Sequence, residues 1–224
     1  MNDIQIMEMV VSGAHLPYVT PFLVKLHERS LSTYKHSIHV AALSVQLGAK
    51  LRLSEKRLLE LAAGAIIHNI GKIKISESVL CKHGRLSDED YTIIKMHPLY
   101  SYDMLVSSNV EHPYIAELIC LLHHRKINGS GYPVDGDMPP SIDISRLPVE
   151  VQIVTVADMF AAMVSSRPYK EAYSGQYALQ ELYKDVSNDV LNYRCVSALE
   201  QLIDENDVFF QLGVDVWQDF EQKL

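Results

Sequence analysis

Apolar residues recur along this chain at helical steps of three and four, and nowhere do they alternate in the sustained way that a half-buried sheet needs. The pattern predicts an all-α protein. Thr20-Pro21 predicts a cap followed by a proline at the first helical position, opening a helix to about Arg29, and a second helix is expected from about Thr33 to Ala49. Ser54 is the expected cap of a third, whose Leu58, Leu61, Ala62 and Ala65 lead to His68-Asn69, with Gly71 as its stop. Ser87 followed by Asp88, Glu89 and Asp90 places a cap and three carboxylates where the positive end of a helix dipole favours them. That helix is predicted to reach His97-Pro98, where the proline bends or breaks it. His112-Pro113 opens another, with Ile115, Leu118, Ile119 and Leu122 pointing the same way as His123 or its neighbour His124.

Between Lys126 and about Ser145, repeated glycines and prolines forbid a regular helix, and one long loop is expected. An apolar helix resumes near Leu147, and Asp158 is embedded among Val151, Val154, Ala157 and Ala161. A carboxylate in such surroundings needs a partner. Beyond the turn Ser166-Arg167-Pro168-Tyr169-Lys170, at least two more helices are expected before Ile203. The organisation read from this pattern is a short helical extension over 1–30, a main domain over 31–203, and an acidic tail over 204–224 whose Trp217 and Phe220 are expected to pack on the same domain.

The 224 residues, 48% hydrophobic and 21% charged, can bury a sizeable core. A net charge of -8 is too acidic for coating DNA or an anionic membrane, so any anionic ligand has to meet a local positive site. Cys81, Cys120 and Cys195 form no Cys-x-x-Cys pair, which removes zinc-ribbon, redox-motif and disulfide-framework readings. There is no basic and apolar leader, and no uncharged apolar run approaches the ~20 residues of a membrane span. A cytoplasmic location is expected.

Ten histidines stand out. Singly, a histidine beside apolar residues is a packing or boundary residue, but His36, His68 with Asn69, His97, His123-His124 and Asp158 form an ordered series at helix ends or on apolar faces. Imidazoles and a carboxylate brought from several helices can enclose one or two divalent ions.

The series resembles the HD-GYP domains, a branch of the HD-superfamily metal-dependent phosphohydrolases. The resemblance covers about residues 30 to 200. It rests on His36-Ser37, Ile67-His68-Asn69-Ile70-Gly71-Lys72, Leu86-Ser87 leading to His97-Pro98, His123-His124 with Gly129-Ser130-Gly131-Tyr132-Pro133, then Val156-Ala157-Asp158 and Arg167-Pro168-Tyr169-Lys170. It implies an HD-superfamily helical bundle with a long GYP loop, and a site where two divalent ions, iron, manganese or another transition metal, activate a water that attacks the phosphodiester of cyclic di-GMP. By position it assigns His36, His68 and Asp158 to one metal, and His97, His123 and His124 to the other. Lys72, Arg167 and Lys170 match positions that contact ligand phosphates, and Tyr132 lies in the signature loop beside the site.

The chain departs from that family at residue 69, where Asn69 stands in the place of a bridging aspartate. An amide offers one neutral oxygen where a carboxylate offers two anionic ones, so weakened metal binding is expected. Arg125, Ala161 and Gln152 stand where the family usually has glutamate, aspartate and arginine, and Ser32 stands where some members use a glutamate for a third metal. The first reading is therefore a cyclic di-GMP phosphodiesterase, slowed by Asn69. The second is a catalytically impaired receptor or interaction module that keeps the fold and one metal or the nucleotide, with protein partners expected through the GYP loop. The third and more distant is a phosphohydrolase acting on another nucleotide. The roughly 30 residues ahead of His36 are too few for a sensory domain, so regulation is expected from a partner, the terminal helices or ligand level, and dimerisation stays open.

Overall fold

A computed structural model describes residues 1–80, 82, 84–142, 146–165 and 172–205. Among the described residues there are eleven α-helices and no strand, so the all-α expectation holds. Helix α1 (Asp3–Ala14) starts at a reciprocal capping box between Asn2 and Gln5. It is followed by α2 (Thr20–Arg29), α3 (Leu31–Lys50) and α4 (Glu55–Ile67). A 3-10 helix (Ile70–Lys74) and the short α5 (Glu77–Leu80) lead to α6 (Asp88–Ile94) and α7 (His97–Val106). Then come α8 (Tyr114–Leu122), α9 (Val149–Val164), α10 (Gly175–Ser187) and α11 (Tyr193–Glu205). No helix among the described residues is long and apolar enough to cross a membrane.

Several expected boundaries are corrected. Thr20 is the first residue of α2, not its cap: its hydroxyl donates back to the carbonyls of Ala14 and Leu16, and Val19 takes the cap position. Ser54 stands at the cap of α4 but its side chain makes no capping bond. The capping box expected at Ser87 is present, closed by Asp90. Its helix ends at Ile94, and Pro98 sits in the first turn of a new helix rather than inside the old one, as a residue lacking an N–H does most easily. Gly71 is no simple stop, because the chain continues in a 3-10 turn. A Cβ there would lie 2.1 Å from the carbonyl oxygen of His97 and 2.5 Å from the amide of Ser101, so glycine is needed for the close approach of α7. The turn 166–170, together with Trp217 and Phe220, lies outside the described residues.

Helix α3 is central, packing against α1, α2, α4, α9 and α11. Val40, Ala41, Val45 and Leu47 of α3, Leu61, Ile66 and Ile67 of α4, Ile119 and Leu122 of α8, and Val154 and Phe160 of α9 belong to one buried cluster. Each aliphatic side chain so buried contributes about 1.5–3 kcal/mol relative to exposure. This packing brings the ends of α4 and α8, the start of α7 and the middle of α9 to the same place beside α3.

Candidate metal centre

His68 follows the last turn of α4, His97 opens α7, and His123 follows the last turn of α8; all three are buried. Their rings are held in one orientation by the same device. Nδ1 of His68 lies 2.6 Å from the Ala65 carbonyl oxygen, that of His97 2.8 Å from Ile94, and that of His123 3.0 Å from Ile119. A carbonyl can only accept, so each Nδ1 carries the proton and each Nε2 presents a lone pair to the interior. Metal-binding histidines are commonly oriented this way. The backbone around them is pinned too: Ser101 donates to the His68 carbonyl at 2.9 Å and accepts from the Gly71 amide at 2.8 Å, while Thr155 donates to the His123 carbonyl at 2.8 Å.

Two triads result. His97, His123 and His124 form one, and His36, His68 and Asp158 the other, with the ligating atoms of each set within 4.8 Å of one another. Asp158 joins them. Its Oδ1 lies 2.8 Å from His36 Nε2 and 3.7 Å from His68 Nε2, and its Oδ2 lies 3.9 Å from His124 Nδ1. The six triad residues that the sequence assigns to metals therefore converge, and Asn69, the seventh, is buried against His68.

The donors fit a divalent cation on two counts. Nε2 of His97 and Nε2 of His123 stand 3.1 Å apart, both as acceptors, a contact that repels unless positive charge is shared between them. Asn69 Oδ1 is buried without a hydrogen-bond partner, while Asn69 Nδ2 sits 2.5 Å from His68 Nε2. Imidazole nitrogens with one carboxylate suit first-row transition metals better than magnesium or calcium.

Burial pushes the imidazoles of His97, His123 and His124 well below their ordinary value, and lowers His36 despite its bond to Asp158. His39, behind His36, is lowered to about 4 by the same cause. Burial alone would raise Asp158, but the hydrogen bond from His36 holds it well below the usual carboxylate range. Lys72, in the 3-10 helix, is felt by His36, His97 and His124 alike, so its charge lies near both triads.

A pH dependence follows. Unfolded histidines titrate near 6.5 and these folded ones lower, so below about pH 6.5 the unfolded chain takes up more protons and stability falls with pH. His39 alone, with its value of about 4, accounts for about 2 kcal/mol by pH 5. Thermal melts of the metal-free protein are expected to be level above pH 7 and to drop steeply below 6.5; a level profile down to pH 5 would contradict neutral buried imidazoles.

The long loop closes over one side of this centre. Arg125 is buried, donates to the Pro133 carbonyl at 2.9 Å and pairs with Asp135, and it bridges to Gly131 through the backbone. Gly131 has φ +89°, and a Cβ on it would lie 2.1 Å from the His124 carbonyl oxygen, so only glycine permits this fold-back. The Tyr132 ring then stacks on His124, with centroids 4.5 Å apart. The loop thus brings Tyr132 to the site, as the sequence predicts. Arg167 and Lys170 lie outside the described residues. Sequence reasoning missed the roles of Ser101, Thr155 and Arg125; of these only Arg125 carried a signal, as a departure from the family pattern.

Comparison with known proteins agrees with this geometry. A family model described as HD domain matches residues 19–190. The chain is 42% identical over 162 residues to the cyclic di-GMP phosphodiesterase response regulator RpfG of Xanthomonas campestris, covering 72% of this chain and 40% of that protein. It is 33% identical to a cyclic di-GMP phosphodiesterase of Thermotoga maritima, covering 81% and 48%. The chain thus spans less than half the length of these relatives. Its fold matches the HD domain of the L. monocytogenes phosphodiesterase PgpH, solved in complex with cyclic-di-AMP, with a TM-score of 0.59 at 19% identity over 81% of this chain and 92% of that one. The family match spans every residue of both triads, and on that footing the chain belongs to the HD domain family, within its HD-GYP branch.

Proposed function

We propose that this chain hydrolyses the phosphodiester of a cyclic dinucleotide in a metal-dependent reaction, with cyclic di-GMP as the substrate. The observation that carries the reading is the convergence of five histidines and Asp158 into two adjoining triads, with the Nε2 atoms of His68, His97 and His123 facing inward as acceptors. RpfG and the Thermotoga protein are named for cyclic di-GMP hydrolysis, which supports the choice of base.

In this reading His36, His68 and Asp158 hold one ion, and His97, His123 and His124 the other, with Asn69 Oδ1 available to either. Iron or manganese suits the donors. Such ions, when bound, would polarise the phosphodiester and make water a competent nucleophile near neutral pH. The chain's own residues do the rest. Lys72 holds a phosphate oxygen at the rim, and Arg167 and Lys170 add further cationic contacts, which lets a protein of net charge -8 accept an anionic substrate. Tyr132, clamped on His124 by its loop, walls one side of the site and keeps the substrate from slipping past the triads. A cytoplasmic setting, a dimer and protein contacts through the GYP loop belong to the same proposal.

Asn69 favours one second reading. Its amide nitrogen faces the His68 nitrogen that would ligate, so the nucleotide could be bound without turnover and the chain would act as a receptor. The test is product chromatography of cyclic di-GMP incubated with the protein and Mn(II) or Fe(II), beside His123→Ala and with cyclic di-AMP as a comparison. Metal-dependent turnover that disappears in His123→Ala supports the enzyme. Nucleotide binding with no turnover, in this chain and in Asn69→Asp, replaces it with the receptor.

A further inference from the structure

Lys126 is a cation set into the flank of the metal centre, and its ammonium makes no hydrogen bond or ion pair with an oxygen among the described residues. Its root is fixed: the Lys126 amide donates to the Ser130 carbonyl at 2.9 Å and its own carbonyl accepts from the Gly129 amide at 3.0 Å. Arg125, one residue before, is clamped to Pro133 and Asp135. From there the partly buried side chain runs to α9, where Nζ lies 2.9 Å from the sulfur of Met159, the neighbour of Asp158. Its charge is felt by both Asp158 and His124, and by Asp185 of α10, yet it forms no ion pair with any carboxylate among the described residues.

An ammonium has three protons to place, and a thioether is a weak acceptor. Partly desolvated charges are ordinarily paired, so the unmet donors point to an anion that arrives from outside. We propose that Lys126 binds a phosphate oxygen of the substrate, as a cationic contact beside the metal centre and distinct from Lys72, which belongs to the 3-10 helix. The inference rests on the cyclic dinucleotide reading, because such a substrate carries two phosphates and the triads can address only one.

The test uses the Mn(II)-loaded protein, Lys126→Met and Lys126→Arg, with cyclic di-GMP as substrate and inorganic phosphate as a second probe. Lys126→Met is expected to raise KM for cyclic di-GMP and weaken phosphate binding roughly tenfold each, the lower end of what a charge-assisted hydrogen bond contributes, with kcat within about twofold and metal content unchanged. Lys126→Arg, which keeps the charge, should stay within about threefold of the parent. Unchanged KM and phosphate affinity overturn the proposal. So does a loss of metal content or melting temperature without a change in affinity, which would make Lys126 a counter-ion for Asp158 and Asp185. If Lys126→Met fails to fold, Lys126→Gln takes its place in the same comparison. Absence of any binding or turnover of cyclic dinucleotide by the parent refutes the phosphodiesterase reading instead; phosphate affinity then still decides Lys126, and equal values in parent and variant overturn it.

Discussion

Replacing Asn69 by aspartate is expected to tighten Mn(II) binding by about one to two orders of magnitude and to bring metal content closer to two ions per chain. The residue is 1% exposed, at the junction of α4 and the 3-10 helix. Its Nδ2 lies 2.5 Å from His68 Nε2, the lone pair of which is otherwise free because His68 Nδ1 is committed to Ala65. The amide therefore blocks the ligand atom it adjoins, while its own oxygen has no partner. Aspartate removes the competing donor and adds a negative charge. At about 4 Å and an effective dielectric of about 20, that charge is worth about 4 kcal/mol per ion before desolvation. Half of it corresponds to roughly thirtyfold in affinity. Titration of the metal-free protein with Mn(II), with metal content read by elemental analysis after dialysis, measures the change directly. Equal affinity and equal content in the two proteins would show that residue 69 does not face the ions. A gain in metal with no gain in cyclic di-GMP turnover would locate the remaining obstacle elsewhere.

Much of this site was legible because its residues are punctuated by local signals. His68 comes at the end of an apolar helical stripe, His97 stands beside a proline that interrupts the helical pattern, and Asp158 is a carboxylate with apolar neighbours on its own helix face. Period and capping put these residues at helix boundaries and on an apolar face, and the family resemblance joined them into one site. Other features depend on contacts between segments far apart in sequence. Gly71 reads as a helix stop, and only the approach of the His97 carbonyl shows that it is a spacer between chain segments. Arg125 reads as a lost glutamate, whereas in the folded chain its guanidinium holds Pro133 and Asp135 and so determines where Tyr132 stacks. Lys126 gave no signal because a lysine in a glycine-rich loop has the composition of an exposed turn. Helix α1 was covered only by a general expectation of helix over 1–30, yet Ile6, Val10 and Ala14 are buried in the core through contacts with α3 and α4 that no local pattern announces.

Loss of Asp158 is expected to have the largest effect of any single change. In Asp158→Asn, metal content should fall to below a tenth of the parent and cyclic di-GMP turnover by at least about a thousandfold, near 4 kcal/mol of barrier at 1.36 kcal/mol per decade. The reason is placement as well as charge. Oδ1 serves His36 and His68 of one triad, and Oδ2 faces His124 of the other, so one carboxylate lies between both sets of nitrogens. In a chain with an amide at residue 69, Asp158 is the anion that both triads share among the described residues. Removing it leaves the His36 Nε2 proton without its acceptor, and a buried donor so stranded costs about 1–3 kcal/mol, which melts of the metal-free protein would register. The double variant Asn69→Asp with Asp158→Asn separates charge from position. It carries the same net charge as the parent, so if the centre needs only one negative charge nearby, metal content should recover. Recovery is not expected, because residue 69 projects from the end of α4 while residue 158 stands on α9 opposite His36, and an aspartate at 69 cannot take up the contact with His36 that Asp158 makes. Full restoration of metal content in the double variant would refute the shared role of Asp158 and reduce it to a source of charge.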